Sequence, residues 1–363
     1  MKEKLGNYIK EISVRNKLNE DIPVYSVTNT EGFCKNFFNK DVTSNNKSNY
    51  KIVPKGYFAY NPSRINVGSI DWLRNEDKVL VSPLYNVFYV SEELNKQYLY
   101  YYLKSDIARQ QIKFYATGSV RDNLKLSALY EFRLNIPSIE KQKSIINKLN
   151  KIVSLIELKQ KQLTKLDELV KARFVEMFGD PTFNNYGLPF RSLKNLGSWK
   201  SGGTPPRSNP AYFEGSIDWY SAGELNSLFL KDSVEKITAE AINKSSAKLF
   251  PSGSLLVGMY DTAAFKMGIL QKESSCNQAC ACIIPSNKIN VIFLYFELEL
   301  MKNEFLKQRR GVRQKNLNLG MIKDFEVPYP SLELQNQFAD FVKQVDKSKF
   351  IFEPTLFINF PML

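Results

Sequence analysis

Residues 136–142 read Ile136-Pro137-Ser138-Ile139-Glu140-Lys141-Gln142, and residues 329–335 read Tyr329-Pro330-Ser331-Leu332-Glu333-Leu334-Gln335. The second heptapeptide repeats the first at an offset of 193 residues, and the match extends on both sides. Upstream, Asn123, Leu124, Leu126 and Phe132 recur as Asn316, Leu317, Leu319 and Phe325. Downstream, the apolar positions Ile145, Leu149 and Ile152 recur as Phe338, Val342 and Val345. Weaker echoes keep the same order: Ile22-Pro23-Val24-Tyr25-Ser26 parallels Ile217-Asp218-Trp219-Tyr220-Ser221, and Pro54-Lys55-Gly56 parallels Pro251-Ser252-Gly253. Self-similarity of this length makes the chain a duplicated unit. Its order is domain, helix, domain, helix.

After Ser138, apolar residues fall at Ile145, Leu149, Ile152, Ile156, Leu163, Leu166, Val170 and Met177. These three- and four-residue steps mark the seam of a long amphipathic helix that needs a partner. Ser138 suits the N-cap and Gly179-Asp180-Pro181 the stop, giving about 40 residues and roughly 60 Å at 1.5 Å per residue. The partner is the repeated helix from Ser331, with Phe338, Val342 and Val345 on its seam. Runs of Val, Ile, Tyr and Phe at 57–60, 79–90, 254–259 and 279–284 predict strands, and 94–114 and 291–308 predict helices. The fold class is therefore α+β. The boundaries are 1–136 and 182–330 for the two domains, 137–181 for the spacer helix, 331–350 for the shorter second helix and 351–363 for an apolar tail.

The chain has 363 residues, enough for two buried cores, with 43% hydrophobic residues. No stretch approaches the roughly 20 apolar residues of a membrane span. The N-terminal residues lack the apolar core of a signal peptide, which gives cytoplasmic residence as the expectation. Four cysteines are too few for a disulfide framework. Cys276, Cys280 and Cys282 cluster, but without any histidine in the chain a buried strand is the better reading than a metal site. The 50 Lys and Arg against 37 Asp and Glu give a net charge of +13, which favours a polyanionic partner without specifying one.

In order and spacing these pieces resemble the specificity (S) subunits of type I restriction-modification systems over nearly the whole chain. The resemblance is carried by the repeated heptapeptide, by Ser201-Gly202-Gly203-Thr204-Pro205 early in the second domain, and by Phe174-Val175-Glu176-Met177-Phe178-Gly179-Asp180-Pro181 closing the long helix. It implies two target-recognition domains, each reading one half of a split site on double-stranded DNA, and two helices that pair antiparallel to set the spacing. It also implies that methylation and cleavage belong to partner methyltransferase (M) and restriction/translocase (R) subunits. S-adenosylmethionine, ATP and Mg are then expected on those partners, with no cofactor, metal or catalytic residue on this chain.

What the sequence lacks agrees with this. No histidine is available for a Ser-His or Cys-His pair, and no phosphate-binding G-x-x-x-x-G-K-[ST] loop occurs. Asn61-Pro62-Ser63-Arg64 resembles the N-P-P-[YF] motif of adenine methyltransferases, but lacks its stacking aromatic and a glycine-rich cofactor loop. Asp71 with Glu76-Asp77-Lys78 matches a permissive nuclease pattern that chance produces readily. A self-sufficient methyltransferase and a coiled-coil interaction protein without DNA specificity are the alternative classes.

For DNA contact the densest basic run holds Lys307, Arg309, Arg310, Arg313 and Lys315, with no acid to neutralise it. A solvated helix end is its alternative reading. The matching region of the first repeat carries Arg109, Lys113, Arg121 and Lys125. Lys200, Thr204 and Arg207 flank the glycine-rich turn as a second candidate. The two prolines of the tail end the second helix early. Its shortening is expected to leave Ile145, Leu149, Ile152 and Ile156 bare, inviting self-association, another subunit or the tail itself, and suggests a truncated or rearranged gene copy.

Overall fold

A computed structural model describes residues 2–35, 46–116, 123–309 and 316–352, with side chains to Lys349. The chain divides into two compact units, one from residue 1 to Lys159 and one from Gln160 to Pro354. The division falls inside a single long helix. The tail at 353–363 lies outside the described residues.

The first unit holds a four-stranded antiparallel sheet in the order Ile9–Glu11, Asn86–Val90, Phe58–Tyr60, Ile70–Trp72. Helices α1 (Lys96–Lys104), α2 (Asp106–Tyr115) and α3 (Leu126–Tyr130) pack on it, and the first half of α4 (Ile139–Phe178) follows. Its core includes Phe58, Phe88, Leu99, Leu129 and Phe132, with Ile146 of α4 among them. The expected helix over 94–114 is broken at Ser105. Extended there, with φ −75° and ψ 160°, Ser105 accepts the Ala108 N–H on its hydroxyl and so starts a second helix.

The second unit repeats the plan. Its sheet runs Gly197–Ser201, Cys280–Pro285, Leu255–Gly258, Met267–Ile269, again with the first strand beside the last and then a hairpin. Helices α5 (Ala239–Lys244), α6 (Val291–Lys307), α7 (Leu319–Asp324) and α8 (Leu332–Phe352) complete it. Gly56 and Gly253, matched in the weak echo, have the same φ of +82°. The three clustered cysteines are fully buried thiols, Cys276 on one strand and Cys280 and Cys282 on the next. Burial pushes the Cys282 thiol pKa well up. Among the described residues no helix is long and apolar enough to cross a membrane.

A buried amide fastens each repeated helix to its unit. Gln142 is fully buried; its Oε1 accepts the Asn95 N–H at 2.8 Å, and its Nε2 donates to the carbonyls of Glu93 and Pro137, both at 2.9 Å. Gln335, also fully buried, accepts the Asn290 N–H at 2.9 Å and donates to the Pro330 carbonyl at 2.9 Å. Asn95 and Asn290 in turn cap α1 and α6 through their side chains. The amide thus joins the cap of α1 to the start of α4, and the cap of α6 to the start of α8.

Within the second unit α8 runs antiparallel to the second half of α4. Phe338 sits 5.2 Å from Phe174 and 5.8 Å from Phe178, while further along Lys349 pairs with Asp167. Val170, Val342 and Val345 are buried in the same core, with Leu166 and Met177 packed against it and Leu163 half-buried. At 21 residues against 40, α8 is the shorter helix.

The stripe expected to be bare on the first half of α4 is partly covered. Ile145, Leu149, Ile152 and Ile156 are all half-buried, and Ile145 packs against the core of its own unit. The exposed apolar residues of α4 are instead Leu155, Leu158, Leu169 and Val175.

Repeat units differ where side chains were exchanged. Counting from the caps Asn95 and Asn290, Glu297 occupies the place of Tyr102. The Tyr102 hydroxyl accepts from Gln111 at 2.6 Å. Glu297 is 1% exposed and neither carboxylate oxygen has a partner. Burial raises its pKa well above the usual carboxylate range.

Gln142→Ala and Gln335→Ala should each cost about 1–3 kcal/mol, the range for stranding a buried backbone N–H. Urea unfolding of these variants and of Gln→Met, which restores the volume without the hydrogen bonds, measures it. Met variants as stable as the natural protein would show that the amide bonds contribute nothing.

Candidate nucleic-acid interface

Residues on each side of the two basic segments leave the two sheets at equivalent places. Leu124, fully buried, donates its N–H to the Pro62 carbonyl just beyond strand Phe58–Tyr60. Leu317, equally buried, donates to the Met259 carbonyl just beyond strand Leu255–Gly258. Asn316 also accepts the Asp261 N–H at 3.0 Å. Pro62, from the methyltransferase-like tetrapeptide, therefore serves as an anchor for the chain. Arg121, Arg310, Arg313 and Lys315 lie outside the described residues.

The flanking cations are described. Lys307 pairs with Glu304 one turn back at 2.6 Å, so the basic run is in part neutralised, against the expectation. Arg309 donates through Nε to the Leu306 carbonyl at 3.0 Å, closing the end of α6. On α2, Arg109 pairs with Asp106 at 2.9 Å. Lys113, also on α2, and Lys125, at the start of α3, are exposed. Phe114, beside Lys113, is 79% exposed and forms an edge-on pair with Tyr115.

The glycine-rich turn of the second unit is docked on its neighbours. Gly202 and Gly203 donate their N–H groups to the carbonyls of Cys280 and Cys276, both at 3.0 Å. A Cβ on Gly202 would stand 2.3 Å from the Cys276 carbonyl oxygen, and one on Gly203 2.0 Å from that of Ser246. Only glycine lets these backbones approach. The half-buried Thr204 hydroxyl meets the exposed Gln278 amide, and Lys248 Nζ donates to the Ser201 carbonyl at 3.0 Å.

Arg207 is held on three sides. Its guanidinium donates twice to Glu235, at 2.5 and 2.7 Å, and lies over the rings of Phe213 and Trp219 at 4.2 and 5.3 Å. That hydrogen-bonded fork holds the Glu235 carboxyl below its ordinary pKa. Lys200, on the adjoining strand, is exposed and among the described residues has no ion pair. The sequence reading missed Gln278 and Glu235, which lie 74 and 28 residues from their partners. It also missed Phe174 and Phe178 as seam residues, although they continue the spacing from Val170.

The nuclease-like residues do not form a site. Asp71 is occupied by Arg74 at 2.9 Å, Glu76 accepts from the Tyr25 hydroxyl at 2.9 Å, and Lys78 pairs with Glu20 at 2.5 Å. Among the described residues no group of His, Cys, Asp or Glu is placed to hold a metal.

By fold the chain is a tandem of one α+β unit, each copy closed by a helix anchored through a buried glutamine. It belongs to the family defined by the type I restriction modification DNA specificity domain, which matches residues 5–168 and again 187–356. It is similar to the EcoR124I/EcoR124II specificity subunit of Escherichia coli, with 23% identity over 171 residues, 46% of this chain and 42% of that one. It is also similar to the MjaIX specificity subunit of Methanocaldococcus jannaschii, with 26% identity over 162 residues, 43% of this chain and 37% of that one. The matches thus span less than half the length of these relatives. Among solved structures, an S subunit of a type I restriction-modification system from M. genitalium shares the fold with TM-score 0.55 at 15% identity, covering 98% of this chain and 91% of that one. A chain from a type I R-M system, solved for its complex assembly and conformational transition, shares it with TM-score 0.60 at 14% identity, covering 98% and 92%.

Charge pairing separates Lys200 from Arg207. Lys200→Gln should lower the slope of log affinity for duplex DNA against log salt by about one, the value of one lost phosphate contact. Arg207→Gln should leave that slope unchanged, because Glu235 already occupies the guanidinium. Equal slopes for both variants in salt titrations by anisotropy would contradict this assignment.

Proposed function

We propose that this chain is the sequence-reading subunit of a type I restriction-modification enzyme, with each unit recognising one half of a bipartite site on double-stranded DNA. The observation that carries this reading is the family match in both halves of the chain, on two units with the same sheet order and the same glutamine anchor. The net charge of +13 suits a phosphate-rich partner. Methyltransferase subunits modify the site, and a restriction/translocase subunit cleaves. S-adenosylmethionine, ATP and Mg reside on those partners, all in the cytoplasm.

This reading makes the chain itself non-catalytic. The absence of histidine from the sequence supports it, and so do the internal partners of the nuclease-like residues and the anchoring role of Pro62. Recognition then rests on loops that a rigid sheet holds, where side chains reach base edges while lysines and backbone N–H groups hold phosphates.

The purified chain should bind duplex DNA with an affinity that falls as salt rises, and should transfer no methyl label from S-adenosylmethionine to that DNA. Filter binding and label transfer on the same preparation measure both. Label transfer that disappears on changing Asn61 or Arg64 would replace this reading with a self-sufficient methyltransferase.

A further inference from the structure

Within the two units, many cations that the sequence makes conspicuous are met by carboxylates. Arg109 has Asp106, Arg207 has Glu235, Lys302 has Glu299 and Lys307 has Glu304. The first three turns of α4 are different. From Ile139 to Lys151 they carry four lysines and one glutamate. Lys141, Lys148 and Lys151 are exposed and, among the described residues, form no ion pair. Lys143 is near Glu140, but Glu140 is turned first to backbone and to Ser138, with Lys143 the least of the influences on it.

These charges share the outer side of the helix. Glu140, Lys143, Ser144, Asn147, Lys148 and Lys151 line one shallow, open recess. The inner side is committed to the first unit, through Gln142 and Ile146, which are buried, and Ile145 and Leu149, which are half-buried. No large apolar residue between 139 and 154 is exposed. A protein partner ordinarily requires an apolar centre, and lysine and serine are depleted from such surfaces. Lysine, serine and asparagine are the side chains that hold phosphate oxygens. Lys143 and Lys151 are eight residues apart, about 12 Å along a helix, a span that meets roughly three phosphates on one strand of a duplex at ~3.4 Å each.

We infer that this outer face of α4 binds the phosphate backbone of duplex DNA, as a contact that adds affinity without reading sequence. The inference rests on the proposed function and extends it by assigning phosphate contacts to the helix beside the recognition loops. A lysine ammonium suits the role as a point charge free of base-reading geometry.

The test uses the full chain and random-sequence duplex DNA, with binding followed by anisotropy over a range of salt concentrations. The triple variant Lys143→Gln, Lys148→Gln, Lys151→Gln should lower the log-log salt slope by about three, and Lys148→Gln alone by about one. The triple Lys→Arg variant should keep the natural slope. The loss should be equal on all sequences, and thermal unfolding of the variants should match the natural chain. An unchanged slope in the triple Gln variant overturns the inference. An unchanged slope with lost co-assembly of methyltransferase subunits overturns it in favour of an acidic protein surface. If the natural chain shows no salt-dependent binding at all, the proposed function falls first and this inference with it.

Discussion

The side-chain amides of Gln142 and Gln335 are the constraint on which the rest of the structure depends. Each is a polar amide taken wholly out of water, tolerable only because backbone groups from two chain segments satisfy it. One segment is the cap of the domain helix, and the other is the proline two residues past the preceding strand. Fixing both at once sets where α4 and α8 leave their units. In α4 this turns Ile145 and Ile146 toward the first core and the lysines outward. In α8 it brings Phe338 against Phe174 and Phe178, where aromatic pairs add about 0.5–1.5 kcal/mol each beyond area burial.

Much of this was legible in the sequence because duplication writes the plan twice. The offset of 193 residues located both helices, and the seam spacing gave a helix of the observed length. The same glutamines stood in the repeated motif, yet their role was not legible, since spacing cannot show what a buried amide touches. Local rules covered other details unevenly. Ser105 is a good cap, but a pattern read over 94–114 as one helix passed over it. Glu304 stands three residues before Lys307, within reach of a helical pair, and escaped notice because the run was counted from Lys307 onward. Arg207 with Glu235 and Thr204 with Gln278 are joined only by tertiary folding, so no window of sequence contains them.

The electrostatic picture differs from the one that density of charge suggests. A cluster of basic residues attracts attention, but a cation already paired with a carboxylate releases fewer counterions on meeting a phosphate. Lys307, Arg109 and Arg207 are of this kind. Among the described residues, Lys113, Lys125, Lys200 and the α4 lysines Lys141, Lys148 and Lys151 form no ion pair. Positive charge is therefore distributed between the domain surfaces and the connecting helix. In the proposed function, sequence reading belongs by contrast to whichever side chains the two sheets present to base edges.

Domain exchange followed by sequencing of methylated sites tests the central claim, that two units of one fold read two halves of a site independently. Residues 182–330 would be replaced by the corresponding segment of a related specificity subunit and the chimera produced together with methyltransferase subunits. The account predicts that one half of the methylated sequence changes to that of the donor while the other half is retained. A change in both halves, or in neither, would contradict it.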